Sequence, residues 1–416
     1  MTTILWDTHG NEIVKTLAAE RRAAGALASG LALTLVVVAE EDHAEEAQRA
    51  AATAASAHPC RLLVVVRRRV DADDRLDAEV QVGGRLGANE AVMMRMYGRL
   101  SLHAESVVLP LLASDAPVVT WWHGSTPDKL AWDALGVLAG RRVTDATTDD
   151  DAMAALKRRA KDYAPGDTDL AWTRTTPWRA LLASAFDDMA DVPTSAEVQA
   201  ESGNPSAALL AGWITARLGI KVKRSDSPGP GVTAIEVRFG SRDKLRIDRP
   251  DGYLATLSRT GITDRQLPLK RRDLGELLGE ELRRLDADQP YADALSVVTG
   301  EKALDSRPPM RTLIWKDPEK RRTARPAPAA SAKKAPPQST TPTKTTKKTI
   351  KKTTKKTTTK TVGKGTTRAA KPAGTAAQKT TRTKAAASRK AAAGTVKRTA
   401  TKVAARKSPA AKRSAR

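Results

Sequence analysis

Cysteine is almost missing from this chain. Cys60 is the single thiol in 416 residues, which excludes an intrachain disulfide, an intrachain redox switch and any Cys-rich zinc site. A lone Cys fits a protein kept in a reducing cytosol. Histidine is also scarce. His9, His43, His58, His103 and His123 show no HExxH or other metal-ligand spacing. There is no GxSxG nucleophile elbow and no GxxxxGK[ST] phosphate loop. No long apolar run occurs either. The uncharged stretch 23–39 is broken by Gly25, Ser29, Gly30 and Thr34, and Glu40, Glu41 and Asp42 follow it. A spanning helix needs about 20 apolar residues, and acidic residues are wrong for a signal-cleavage site, so neither a membrane segment nor a leader is expected.

The most telling shortage is of one charge sign. No Asp or Glu occurs after Glu319, whereas 30 of the 71 Lys and Arg lie in 320–416. The preceding residues carry the other 41 basic and all 47 acidic side chains, together with every Trp, Tyr and Phe. One part therefore has the material for a core and the other lacks it. The Lys/Thr/Ala-rich tail 320–416, with repeats such as KKTTKKTTTK, is expected to be disordered. Lys347, Lys348, Lys351, Lys352, Lys355, Lys356 and Lys360 form its densest cationic run. Such a run binds DNA or another polyanion by counterion release, without reading bases. A solubilising extension is the alternative.

Ahead of the tail, hydrophobic periodicity changes character near residue 165. Residues 1–165 read as an α/β domain with an open, mostly parallel sheet. Asp7 and Thr8 are placed to cap a helix over 11–28. Leu31–Ala39 and Arg61–Val66 are apolar on both faces, as buried central strands are. Leu76–Val82 alternates. Helices are expected over 42–56, 89–103, 128–138 and 149–163, and strands over 107–112 and 118–121. Residues 166–310 read as an α+β domain: helices over 178–187 and 205–218, strands over 221–224, 232–239, 244–248 and 254–259, and a helix over 271–286. A linker is expected over 311–319, with a last apolar cluster at 312–315.

Chemistry-bearing clusters are few. Gly83–Gly87 lies after a strand but lacks the GxGxxG spacing, so an ordinary turn competes with a phosphate-binding one. Cys60 follows His58 and precedes Arg61, which leaves a reactive thiol or a structural one open. Trp121 and Trp122 are consecutive on a strand and must point to opposite faces. With one face in the core, the other indole is expected near the surface or a domain contact. Trp121, Trp122, His123, Asp169, Trp172, Arg174, Trp178 and Arg179 are the candidates for a partner surface or a domain interface. No catalytic, cofactor-binding or metal-binding set emerges.

HPCRLLVVV (58–66), VVTWWHG (118–124) and DLAWTRTTPWR (169–179) resemble signature stretches of the OpcA family, the glucose-6-phosphate dehydrogenase assembly proteins. The resemblance extends over about 1–315. It implies a non-catalytic cytoplasmic protein that binds glucose-6-phosphate dehydrogenase and promotes its active oligomer, with no cofactor of its own. The basic tail is not part of that family core.

Overall fold

The computed structural model describes residues 2–25, 30–83, 90–186, 191–240 and 242–316. The lysines from Lys347 to Lys360 and most of the Gly83–Gly87 turn lie outside them. Eight strands build the first sheet: β1 (Thr2–Leu5), β2 (Leu33–Glu40), β3 (Cys60–Arg67), β4 (Arg75–Val82), β5 (Glu90–Tyr97), β6 (Val118–His123), β7 (Arg141–Thr144) and β8 (Asp167–Asp169). Their order is β1-β4-β5-β3-β2-β6-β7-β8. All neighbours from β5 to β8 are parallel, and β4 and β1 extend the edge in antiparallel fashion.

The helices are α1 (Gly10–Ala23), α2 (Glu41–Ala57), α3 (Glu105–Val108), α4 (Ala134–Leu138), α5 (Ala152–Asp162), α6 (Leu170–Thr173), α7 (Thr176–Phe186), α8 (Pro205–Leu218), α9 (Leu274–Glu281) and α10 (Gln289–Thr299). The doubly apolar strands have a direct structural cause. Leu35, Val37, Leu62 and Val64 pack beneath α2 and α9, while Val36, Val38, Leu63 and Val65 pack beneath α1 and the segment 104–111. Each such side chain, removed from water, contributes about 1.5–3 kcal/mol before conformational entropy is counted.

The second sheet comprises β9 (Pro193–Ala200), β10 (Lys221–Asp226), β11 (Val232–Phe239), β12 (Lys244–Asp248), β13 (Leu254–Arg259) and β14 (Ile262–Pro268), in the order β10-β9-β11-β12-β13-β14. β9 and β10 are parallel across α8, and the rest form an antiparallel meander. One face is apolar. Ile235, Val237, Ile247 and Val198 meet Trp178, Leu210 and Ile214 of α7 and α8. α8 closes in the way its sequence dictates, with Asn204 accepting from Ala207 N–H and left-handed Gly219 ending it.

Four expectations are corrected. Where a helix is expected over 89–103, residues 90–97 form β5, which slots between β3 and β4 with Val92, Met94 and Met96 alternating into one core, and only 98–102 make a short 3-10 turn. Methionine favours helices in isolation, and tertiary pairing overrides that bias. Residues 105–111 are helical rather than a strand. α1 begins at Gly10 with His9 at its N-cap, because Thr8 hydrogen-bonds Glu12 instead of capping the backbone. The helix expected over 271–286 is shorter and crosses back to lie on α2. There a Cβ on Gly275 would sit 2.6 Å from Thr53 Cβ, so glycine permits the approach. The segment 311–316 is also docked. Arg311 pairs with Asp162 and Asp167, Ile314 N–H donates to Ala131 O at 2.7 Å, and Trp315 stacks on His103.

Candidate functional site

In open α/β sheets the ligand crevice lies beyond the carboxyl ends of the strands, where strand order reverses. Here β2 sends the chain outward to β3 on one side, and β6 lies on the other. An open crevice of about 710 Å³ sits at that point, lined by His43 and Glu46 from α2, His123 at the end of β6, Asp145 after β7, and Arg158 and Arg174. His123 is buried and its Nε2 lies 3.1 Å from Glu46 Oε2. Gly124, at φ +88, lets the chain turn beside His43, whose Nδ1 would be 3.2 Å from a Cβ there.

Asp145 lines the crevice, and Asp169 is buried behind it. Asp145 accepts both Arg174 Nη1 and Nη2 at 2.8 Å and caps the turn through Thr147 N–H. Burial works against the Arg174 cation, but Asp145 and Asp169 outweigh that and raise its pKa. Asp169 is fully buried and accepts from Ala146 N–H, Ala171 N–H and Thr144 O–H. Burial first, and Asp145 second, hold its pKa above the ordinary carboxylate value.

That shift has a testable sign. A carboxyl whose folded pKa is raised stabilises the fold fully below the unfolded value of about 4, and this contribution is lost as pH rises through the folded pKa. Asp169→Asn keeps the acceptor for both N–H groups and removes the charge. Its stability relative to the parent is therefore expected to increase with pH above about 4. Asp169→Ala leaves two N–H groups unpaired and is expected to cost about 2–4 kcal/mol. Urea unfolding of both variants across pH checks this, and an Asn variant that weakens steadily with pH contradicts it.

The structure separates the residues singled out in the sequence. Trp121 packs under α2 and Trp122 on the opposite face, and both are buried. Neither indole approaches the surface, because both faces of this sheet are covered; Trp121 instead shares a cluster with Leu277 and Leu278 of α9, from the second half of the chain. Trp172 is buried, donates Nε1–H to Asp288 Oδ2 at 2.8 Å and carries Arg179 3.6 Å above its ring. Burial pushes the Arg179 pKa down to about 10. Trp178 lies under Arg249 in the core of the second sheet. Of these residues only His123 and Arg174 line the crevice, and Asp169 is buried behind it, bonded to Ala146 N–H next to Asp145. Cys60 is buried, and its thiol pKa is pushed up to about 12, which leaves it unreactive at neutral pH.

Sequence reasoning missed His43, Glu46 and Asp145. A signal existed for Asp145: it follows a strand and precedes Ala-Thr-Thr, the pattern of a capped turn. His43 and Glu46 meet His123 only through the parallel pairing of β2 and β6. Among the described residues, no group of three or more His, Cys, Asp or Glu is placed to hold a metal ion. None of the helices among them is long and apolar enough to cross a membrane.

Residues 51–161 match the N-terminal domain, and residues 165–295 the C-terminal domain, of the glucose-6-phosphate dehydrogenase subunit defined by the OpcA assembly family. The chain belongs to the OpcA family. No curated protein matches it in sequence. Among solved structures it is similar to an oxidoreductase from Sinorhizobium meliloti, at 11% identity over 64% of this chain and 86% of that one, with a TM-score of 0.33. It is similar also to an NAD binding oxidoreductase from Klebsiella pneumoniae, at 11% identity over 66% and 96%, with a TM-score of 0.32. The two matched halves meet between α5 and β8, so the edge strand β8 of the first sheet belongs to the second half.

Proposed function

We propose that this OpcA-family protein is a non-catalytic cytosolic assembly factor that binds glucose-6-phosphate dehydrogenase through its folded residues and holds the enzyme in an active oligomer. The observation that carries this is the match of both family halves in succession over 51–295. The switch-point crevice supports it. α2 follows β2 without a glycine-rich loop, and Glu40, Glu41 and Asp42 stand at its N-terminus. A dinucleotide pyrophosphate placed there would meet carboxylates where a binding fold offers free N–H groups. Arg174 and Asp145 are held to each other by two hydrogen bonds.

An assembly factor activates only by binding the active arrangement more tightly than the inactive one, by about 1.4 kcal/mol for each tenfold shift in population. The test is NADP reduction by the dehydrogenase, titrated with the full chain and with a chain ending at residue 318. That end point retains Arg311 and Trp315 in their docked places. A saturable rise in rate, with a matching increase in the enzyme's mass, is expected from both. No change with either refutes the assembly role.

The charge segregation after residue 319 supports a second activity, electrostatic binding of DNA by the lysine-rich tail. With about ten charges engaged, log K would fall with log salt at a slope of about −9. The chain ending at 318 is expected to lose this binding while keeping activation.

A further inference from the structure

A second cavity lies beyond Arg174, and its chemistry is unlike that of the crevice. It measures about 330 Å³ and is built from the N-terminus of α8, the turn after β12 and the segment leading into α9. Five cations line it, Arg174, Arg249, Lys270, Arg271 and Arg272, against a single carboxylate in the lining, Glu201. Three of the five are matched elsewhere: Arg174 by Asp145, Lys270 by Glu276 at 3.0 Å and Arg272 by Glu280 at 3.7 Å. Arg249 and Arg271 form no ion pair among the described residues.

Arg249 is 4% exposed. It rests 4.8 Å over the Trp178 ring and donates Nη1 to Leu269 O and Nη2 to Val232 O, both at 2.8 Å. Its Nε–H has no acceptor. A buried guanidinium with a donor unused and no carboxylate in contact is costly, and Asp251 offsets this only at a distance. Burial, and the second cation Arg271, push its pKa down to about 10. Opposite stands the α8 N-terminus, whose helix dipole favours an anion; Pro205 has no N–H, and Ala207 and Ala208 donate to Asn204, so Ser206 N–H is the group left to offer. There Ser206, also 4% exposed, has a hydroxyl without any partner. Gly231, at φ +66, leaves backbone without a side chain beside Arg271 Nε.

We propose that this cavity binds a small phosphomonoester, a phosphorylated polyol or sugar. The phosphate dianion occupies the gap between Arg249, Arg271 and the α8 N-terminus and accepts from Ser206 Oγ–H. The organic part, which carries hydroxyls, faces Ser202, Asn204 and Thr147. Two cations without a carboxylate in ion-pair contact match the two charges of a phosphomonoester. The buried hydroxyl and the unused guanidinium donor are then satisfied together. Arg174, shared between this cavity and the crevice, would place the ligand one side chain from Asp145. The inference stands on this cavity alone and does not depend on activation of the dehydrogenase.

The test is calorimetric titration of the full-length protein with glycerol 3-phosphate, with glycerol as the uncharged counterpart, at fixed ionic strength. Saturable binding of one equivalent of glycerol 3-phosphate and none of glycerol is expected. Ser206→Ala should weaken binding about tenfold, the effect of one hydrogen bond to a charged group. Its melting temperature should not fall, since the hydroxyl removed has no partner. Arg271→Ala should weaken binding at least as much. Both variants keep the lysine-rich tail, so binding that survives unchanged in both would place the anion on the tail and overturn the proposal. Absence of saturable binding would overturn it as well.

Discussion

Asp167→Ala is expected to lower the folding stability of the full chain by about 3–5 kcal/mol, the cost of leaving a buried charge without its partner. Asp167 stands on the edge strand β8 and serves two guanidinium groups at once. Its Oδ1 accepts from Arg142 Nε, and its Oδ2 accepts from Ala164 N–H at 2.9 Å and from Arg311 Nη2. Arg142 is among the most buried side chains of the molecule, held also by Ala139 O and Pro165 O. Carbonyls satisfy its donors but not its charge. The backbone has no slack to relax into the gap. Gly166 sits at φ +96, with any Cβ 2.3 Å from Gly140 O and 3.1 Å from Arg142 Nη2. Arg311→Ala provides the internal comparison: it leaves the Arg142–Asp167 pair intact and removes only the outer cation, which also pairs with Asp162 Oδ2 at 2.9 Å. Its cost should be clearly smaller. Urea unfolding of both variants decides the matter. An Asp167→Ala loss within about 1 kcal/mol would mean that water replaces the carboxylate and that the pair is not effectively buried.

How far the sequence could be read follows from where its information was local. β11, β12 and β13 lie where alternation and Gly/Pro/Asp punctuation place them, and α8 carries both its cap residues and its stop. β2 and β3 are legible because parallel pairing buries both faces, which writes a continuous apolar run. The short strands β1, β7 and β8 carry no such mark. β7 is Arg-Arg-Val-Thr and β8 is Asp-Thr-Asp, and their charges are buried against partners from other segments, Arg141 against Glu281 of α9 and Arg142 against Asp167. A charge that is inside because another element neutralises it cannot be told from a charge in solvent by composition. The same reasoning explains the site. Asp169 and Arg174 are visible in the sequence as a cluster with Trp172, but the crevice needs His43, Glu46 and Asp145 from separate segments. Only the strand order brings those together.

The Trp121–Trp122 pair shows what one geometric rule can and cannot decide. Consecutive strand residues do point to opposite faces, but the rule is silent on whether a face is covered. Trp122 packs among Leu130 and Leu135, with Gly136 so close that a Cβ there would meet Trp122 Cη2 at 3.3 Å. Trp122→Ala is therefore expected to cost about 3–5 kcal/mol through the cavity it opens. Trp122→Phe should cost far less. It keeps most of the apolar volume and removes an indole N–H that has no acceptor, which offsets about 1–3 kcal/mol of desolvation. Thermal unfolding of both variants measures this, and dehydrogenase activation below their melting temperatures separates stability from contact. If Trp122→Ala melts like the parent yet fails to activate, the indole touches the partner and this face must open on binding. If it melts early and activates normally while folded, the partner surface lies elsewhere, and of the residues singled out in the sequence only the half-exposed Arg174 and Arg179 remain available to reach it.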